Sequence, residues 1–455
     1  MSEDKSEAKS NPWKEKAKLR QKENASLRKR LKEVAASRDG WKKKHQSLRH
    51  DMGKICGAKP RGHHFPMLVV ELCVKLCRYG GMSLRCCEHC LMCVSTALGL
   101  GVPSHVSIRN WLLKYGYYLL LGRGGAPPSG GRWALIVDES VTIGTERLLV
   151  VLGLEIGGWG FKRPPALEDV QVLHLEVRGE WKGEAVGEVL KGVISGRQVV
   201  QGTSDAGRNL LNAFELCGVV HLPDCSHAFA AILERHLGNE EQFKELGTLN
   251  GQLRQYWATS QYAKWMPPKH RGKSRFMNVF PVVRWTEKIL AQESVLPPTV
   301  RQKAGWLFEH REFLQDLSHL RKMVTQVLSV LKQQGACTGS LQTAQLFLSK
   351  TMEGASTRVR SIGKKIEEYL QQLRSRITDD ESAYLCCSDI IESLFGKFKY
   401  ALNPANPSEI TERALIIPYF CGSLDAKDVK LALENVTNEQ VKNWRKGSGK
   451  PPPKN

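Results

Sequence analysis

The spacing of apolar positions changes along this 455-residue chain, and each change marks a region. Over residues 1–55, Leu27, Leu31, Val34, Trp41, Leu48 and Met52 recur at alternating three- and four-residue steps, with Arg38 and His45 in the skipped seam positions. This pattern predicts a polar helical arm with a short, imperfect coiled-coil seam. Over 60–121 the period is helical throughout: "FPMLVVELCVKLCRYGG" predicts a helix ended by Gly80 and Gly81, "SLRCCEHCLMCVSTALGLG" one capped by Ser83, and "PSHVSIRNWLLKYGYYLL" one capped by Ser104. Three short helices predict a helix-turn-helix, whose last helix would offer His105, Ser107, Arg109 and Asn110 to the major groove. A plain three-helix bundle has the same periodicity. In 122–132, "GRGGAPPSGGR", no apolar period survives, which predicts a linker.

Beyond the linker the period becomes that of strands. "WALIVDES" reads as a strand ending at Asp138, "RLLVVLGLEI" and "VQVLHLEVRG" as two more, Glu184 to Ser195 as a helix, and "QVVQGTSDAG" as a fourth strand ending at Asp205. The helix "RNLLNAFEL" and a fifth strand, "GVVHLP", complete an order βββαβαβ over 133–225, a mixed α/β sheet with a meander and parallel crossovers. Residues 226–385 return to long helical periods broken by "MPPKHRGKSR" and read as a helical insertion, with Trp257, Trp265, Trp285 and Trp306 weighted toward core positions. The helix-like run "CCSDIIESLFGKFKY" opens a last core segment over 386–425, and 426–455 is a tail.

Charge adds a partner to this picture. The chain carries 67 Lys and Arg against 46 Asp and Glu, a net +21, and the first fifty residues hold 16 basic against 7 acidic side chains. Such a surplus points to a polyanion, and the lack of a ~20-residue apolar run points to nucleic acid in place of membrane. Thirteen cysteines without a secretory signal predict reduced thiols and a cytoplasmic protein. In "CCEHCLMC" the spacing lacks a paired zinc pattern, so Cys86, Cys90 and Cys93, with Cys73 and Cys77, are expected on the packed faces of helices.

Candidate chemistry lies with the acids. Asp138 and Asp205 stand at predicted strand ends, and Asp389 or Glu392 on the later helix supplies a third carboxylate. Several hard oxygen ligands in one place suit a pair of divalent ions about 3.5–4 Å apart. Asp224 and His227 in "PDCSH" are reserve or supporting groups, His227 to orient a carboxylate.

The ordered set of acids after the first and fourth strands, then on a later helix, resembles the DDE transposases and retroviral-type integrases with an RNase H-like core. The segment "ESLFGKFK" is similar to the E-x6-K signature of a bacterial insertion-sequence group, with Glu392 and Lys399 in the matching places, although Leu385 and Ser388 stand where that signature carries tyrosine and arginine. The resemblance implies an RNase H-like mixed sheet interrupted by a large helical insertion, preceded by an all-α helix-turn-helix domain and a basic N-terminal helix. It also implies two Mg²⁺ ions, with Mn²⁺ as substitute, held by Asp138, Asp205 and Glu392, with Lys397 and Lys399 near DNA phosphates. The implied activity is strand cleavage and transfer at transposon ends by a homodimer or higher homo-oligomer on double-stranded DNA. Two other readings remain at this point: a non-catalytic DNA-binding regulator, and a structure-specific nuclease on the same fold.

Overall fold

A computed structural model describes residues 12–55, 59–98, 101–122, 131–156, 163–269, 276, 279–377, 383–402 and 409–447. The chain divides into two compact units, Met1–Ile108 and Arg109–Asn455.

The first unit is helical. Its elements are α1 (Pro12–Ile55), α2 (Met67–Arg78), α3 (Leu84–Leu98) and the start of α4 (His105–Leu120), inside which the division falls. The serine caps form as expected: Ser83 Oγ accepts from the Cys86 amide at 3.2 Å and Ser104 Oγ from the Ser107 amide at 3.3 Å. Leu27, Leu31, Val34 and Trp41 of the expected seam are exposed along α1, while the side chains of His45, Leu48 and Met52 lie outside the described residues.

The cysteine face is rotated from the expected one. Cys73 and Cys77 are buried, but on α3 the buried stripe runs through Cys87 and Leu91, leaving Cys86 and Cys93 exposed and Cys90 half-buried. Residues 87 and 91 are four apart and share a helical face, so 86, 90 and 93 fall on its flank. The twelve described cysteines are free thiols.

The second unit holds a five-stranded sheet of β1 (Arg132–Ile143), β2 (Glu146–Glu155), β3 (Val170–Arg178), β4 (Gln198–Ser204) and β5 (His221–Pro223). Helix α5 (Gly183–Ile194) joins β3 to β4 and α6 (Arg208–Leu216) joins β4 to β5. The spatial order is β3-β2-β1-β4-β5, with antiparallel pairs on the β3 side and parallel pairs β1·β4 and β4·β5 on the other. Two strand lengths differ from expectation. β1 does not end at Asp138: its register shifts there and pairing resumes from Val141 to Ile143, because a tight turn at Gly144 (φ 62°) closes the hairpin to β2. β5 shrinks to three residues, since only His221, Leu222 and Pro223 enter the ladder with β4.

Alternation along the strands assigns the two faces. Leu135, Val137, Leu149 and Val151 pack with Val186 and Leu190 of α5 and Leu210 and Phe214 of α6. Gly202 on β4 belongs to this face, and a Cβ there would lie 2.0 Å from the Phe214 ring. Residues of the other parity, Ile136 and Asp138 on β1 and Gln201, Thr203 and Asp205 at β4, therefore face the opposite side.

A block of helices follows β5: α7 (Cys225–Leu237), α8 (Glu241–Trp257), α9 (Val279–Ala291), α10 (Pro298–Lys303), α11 (Gly305–Glu309), α12 (Arg311–Gln334), α13 (Thr338–Met352) and α14 (Thr357–Arg376). Trp257 and Trp285 are buried in its core, whereas Trp265 and Trp306 are half-buried at its margin. Residues 270–275 of the basic interruption lie outside the described residues. The chain then returns to the sheet with α15 (Asp389–Leu402), followed by α16 (Ile416–Tyr419), α17 (Ala426–Asn435) and α18 (Asn438–Asn443).

This return is clamped by polar bonds to β4. Leu385 accepts from Gln201 Nε2 and Thr203 Oγ1, each at 2.7 Å, and donates its amide to Gln201 Oε1 at 2.8 Å. The helical block is tied to β5 in the same manner, with the Tyr369 hydroxyl donating to Pro223 O at 2.9 Å and Arg376 to His221 O at 2.7 Å. Because Gly202 leaves room for the Phe214 ring, Gly202→Ala is expected to destabilise the chain by about 1–3 kcal/mol through overpacking, read as a lower urea midpoint with unchanged slope.

Candidate active site

The polar face of β1 and β4 brings two of the sequence-predicted acids together. Ile136 pairs with Thr203 across the parallel ladder, and two residues further along each strand stand Asp138 and Asp205, both half-buried. Asp205 lies one residue past β4, where its Oδ1 accepts from the Gly207 amide at 3.2 Å. Gly207, not Asp205, is the N-cap residue of α6, so Asp205 is not consumed as that cap.

Glu392 arrives from α15, which packs against β1. Its apolar side buries Ile391, Leu394, Phe395 and Phe398, and Glu392 stays at the rim with its side chain 46% exposed. Burial raises the Glu392 carboxyl above the ordinary value, and the like charges of Asp224, Asp389 and Asp138 push it further, against the opposing pull of His227.

Asp224 and His227 form the support. Asp224 is 1% exposed and caps α7, its Oδ1 accepting from the His227 amide at 2.7 Å and lying 3.0 Å from His227 Nδ1. Its Oδ2 accepts from the Ser388 amide at 2.5 Å and the Ser388 hydroxyl at 3.0 Å. Burial alone would raise Asp224, but the His227 and Ser388 hydrogen bonds bring it below the ordinary carboxylate value. His227 faces Glu392 on its other side, Nε2 to Oε1 at 3.5 Å. The Asp224 hydrogen bond, helped by the charges of Asp224, Glu392 and Asp205, raises His227 from 6.5 to about 9 and so keeps it an imidazolium near neutral pH.

Asp389, the other acid of the opening turn of α15, is spent differently. It forms an ion pair with Lys332 at the end of α12 and accepts from Ser226 Oγ at 3.4 Å. Its cation comes from 57 residues away in the sequence. Among the described residues, the one group whose ligand atoms all lie within 4.8 Å of one another is Asp224, Cys387 and Asp389. Its donors are largely committed: both Asp224 oxygens accept hydrogen bonds, Asp389 holds Lys332, and a hydrogen bond with Cys225 together with burial keeps Cys387 a neutral thiol. These commitments make the group a poor metal site.

The other sequence-predicted residues have settings of their own. Lys399 is exposed in the last turn of α15, and Lys397 lies over the Phe420 ring at 5.8 Å. His105 bonds Glu88 through both its ring Nδ1 (2.9 Å) and its amide (3.1 Å), holding the Glu88 carboxyl below its ordinary value. Ser107 shares a hydroxyl contact with Ser104 at 3.1 Å, and Arg109 and Asn110 are half-buried. Sequence reasoning missed Lys332 and Ser388. Ser388 lay within the quoted "CCSD" run, but nothing local marked it; Lys332 gave no signal at all.

With this geometry in hand, the chain was compared with known proteins. No protein-family model matches it, and no curated protein matches it. Among solved structures it is similar to the Drosophila P element transposase strand transfer complex, at 11% identity and a TM-score of 0.44, over 87% of this chain and 99% of that chain. At that score the site has to be argued from its own geometry.

The His227 ion pair gives the site a pH signature. A folded-state value raised from 6.5 to about 9 means that its stabilisation is complete below pH 6.5 and is lost as the pH rises through 9. The melting-temperature gap between wild type and His227→Gln is expected to be largest below pH 6.5 and to narrow toward pH 9. A gap that widens with pH would refute the ion pair.

Proposed function

We propose that this chain is a DNA-strand-processing enzyme of the DDE transposase type, with Asp138, Asp205 and Glu392 as its acids on an RNase H-like core. The observation that carries this reading is the pair of aspartates at adjacent parallel strands, on one face, with α15, the helix of Glu392, packed against β1. The net charge of +21 supports duplex DNA as the partner.

An all-carboxylate set suits hard divalent cations such as Mg²⁺ or Mn²⁺ better than soft metals. Such ions, held by Asp138, Asp205 and Glu392, would supply charge stabilisation at the oxygens of a phosphodiester. The chain's own part is positioning. Asp224 fixes the His227 ring, and His227 faces one Glu392 oxygen at 3.5 Å, so it orients the glutamate and opposes the rise that burial and the acidic neighbours impose on its carboxyl. The helix-turn-helix and the basic arm are assigned to recognition and phosphate contact, with two or more copies meeting on the DNA.

Glu392→Gln tests the reading. The variant is expected to bind duplex DNA as wild type does and to lose Mg²⁺-dependent strand cleavage by at least about a hundredfold, a loss of the size seen when one preorganised catalytic group is removed. Undiminished cleavage by the variant rejects the assignment of Glu392. A wild-type chain that binds but never cuts is a regulator, and one that cuts branched DNA without joining ends is a nuclease.

A further inference from the structure

Lys332 is a half-buried cation that the proposed chemistry leaves without a task. It sits at the end of α12 with its side chain 28% exposed, and its ammonium group pairs with Asp389, which is 48% exposed. Its backbone is held on two sides. Ala336 and Tyr384 exchange hydrogen bonds of 2.7 and 2.9 Å just beyond the helix, and Cys386 Sγ lies 3.9 Å from Leu331 O. The neighbouring Leu385 is the residue clamped to Gln201 and Thr203 of β4. The end of α12 that carries Lys332 is therefore tied, through Ala336, Tyr384 and Leu385, to β4, which Asp205 directly follows.

As a clamp this ion pair has little value. Exposed and partly exposed pairs contribute about 0–1 kcal/mol, and here the tertiary fixation is already made by backbone bonds. Charge balance gives it a better use. Asp138, Asp205, Asp224, Asp389 and Glu392 stand around this corner of the sheet, and two cations pair with three of them: His227 with Asp224 and Glu392, and Lys332 with Asp389. His227 is enclosed between Asp224 and Glu392; Lys332 faces an acid that solvent, and hence another anion, can reach.

We propose that Lys332 is a substrate-positioning residue that exchanges Asp389 for a backbone phosphate of bound duplex DNA; this rests on the functional reading above. Asp389 is its resting partner and holds the ammonium group beside the opening turn of α15, the turn that carries Glu392, so little side-chain freedom remains to be lost when phosphate arrives. The cation of the site thus comes from the helical insertion, not from Lys399.

Equilibrium binding of a random-sequence duplex oligonucleotide, with Ca²⁺ in place of Mg²⁺, reads the contact over a range of salt concentrations. Lys332→Met is expected to weaken binding for any sequence and to reduce the slope of log affinity against log salt by roughly one phosphate contact, while Lys332→Arg keeps the slope. Asp389→Asn is expected to leave binding intact or tighten it, because the lysine loses its competitor. A structural pair would move both Lys332→Met and Asp389→Asn the same way in melting temperature and leave the slope unchanged. If wild type cleaves DNA and the Lys332→Met slope equals that of wild type, the contact is refuted and the catalytic reading stands. If wild type retains no duplex at any salt, both fall together.

Discussion

The candidate site depends on one buried carboxylate. Asp224 accepts the His227 amide and faces its ring with one oxygen, and takes the Ser388 amide and hydroxyl with the other. An ionised carboxylate at 1% exposure would be expelled or protonated without such donors, and four of them meet it here. Two come from the first turn of α7 and two from the residue that opens α15, so a single side chain joins segments 164 positions apart. The position of Glu392 follows from this joint, because α15 starts at the bond Asp224 makes.

The helical block between these segments is an insertion that the sheet must tolerate. It achieves this by leaving and re-entering at the same place: α7 begins directly after β5, the Cys225 amide donates to Cys386 O at 2.9 Å, and Leu385 is bound to β4. The block's own core runs continuously from Leu222 to Cys387 through the helices, so it is a domain in packing terms while its two ends act as one element of the sheet. This geometry lets Lys332, deep in the insertion sequence, stand beside an acid of α15.

Much of the architecture was legible because strands and helices are written in local periods. The meander and crossover order, the α6 boundaries and the serine caps were all read from neighbours within a few residues, and the structure agrees with them. The errors were of local register and length. On α3 the pattern of "CCEHCLMC" offers overlapping helical faces, and only packing selects Cys87 with Leu91. β1 was expected to stop at Asp138, but a bulge carries it on to the hairpin at Gly144, and β5 was cut short by where its ladder with β4 begins.

The sequence by itself determined the element types, the strand order along the chain, the basic charge and the acids worth testing, because each is a property of one position and its near neighbours. Which residues meet was decided by the tertiary structure. Asp389 with Lys332, Asp224 with Ser388 and Gln201 with Leu385 are separated by 57, 164 and 184 residues, and no periodicity reaches so far. For the last two the pairing is set by burial: each buried polar group must find its donors or acceptors wherever folding brings them. The same rule made Asp224 a support and His227 its bridge to Glu392.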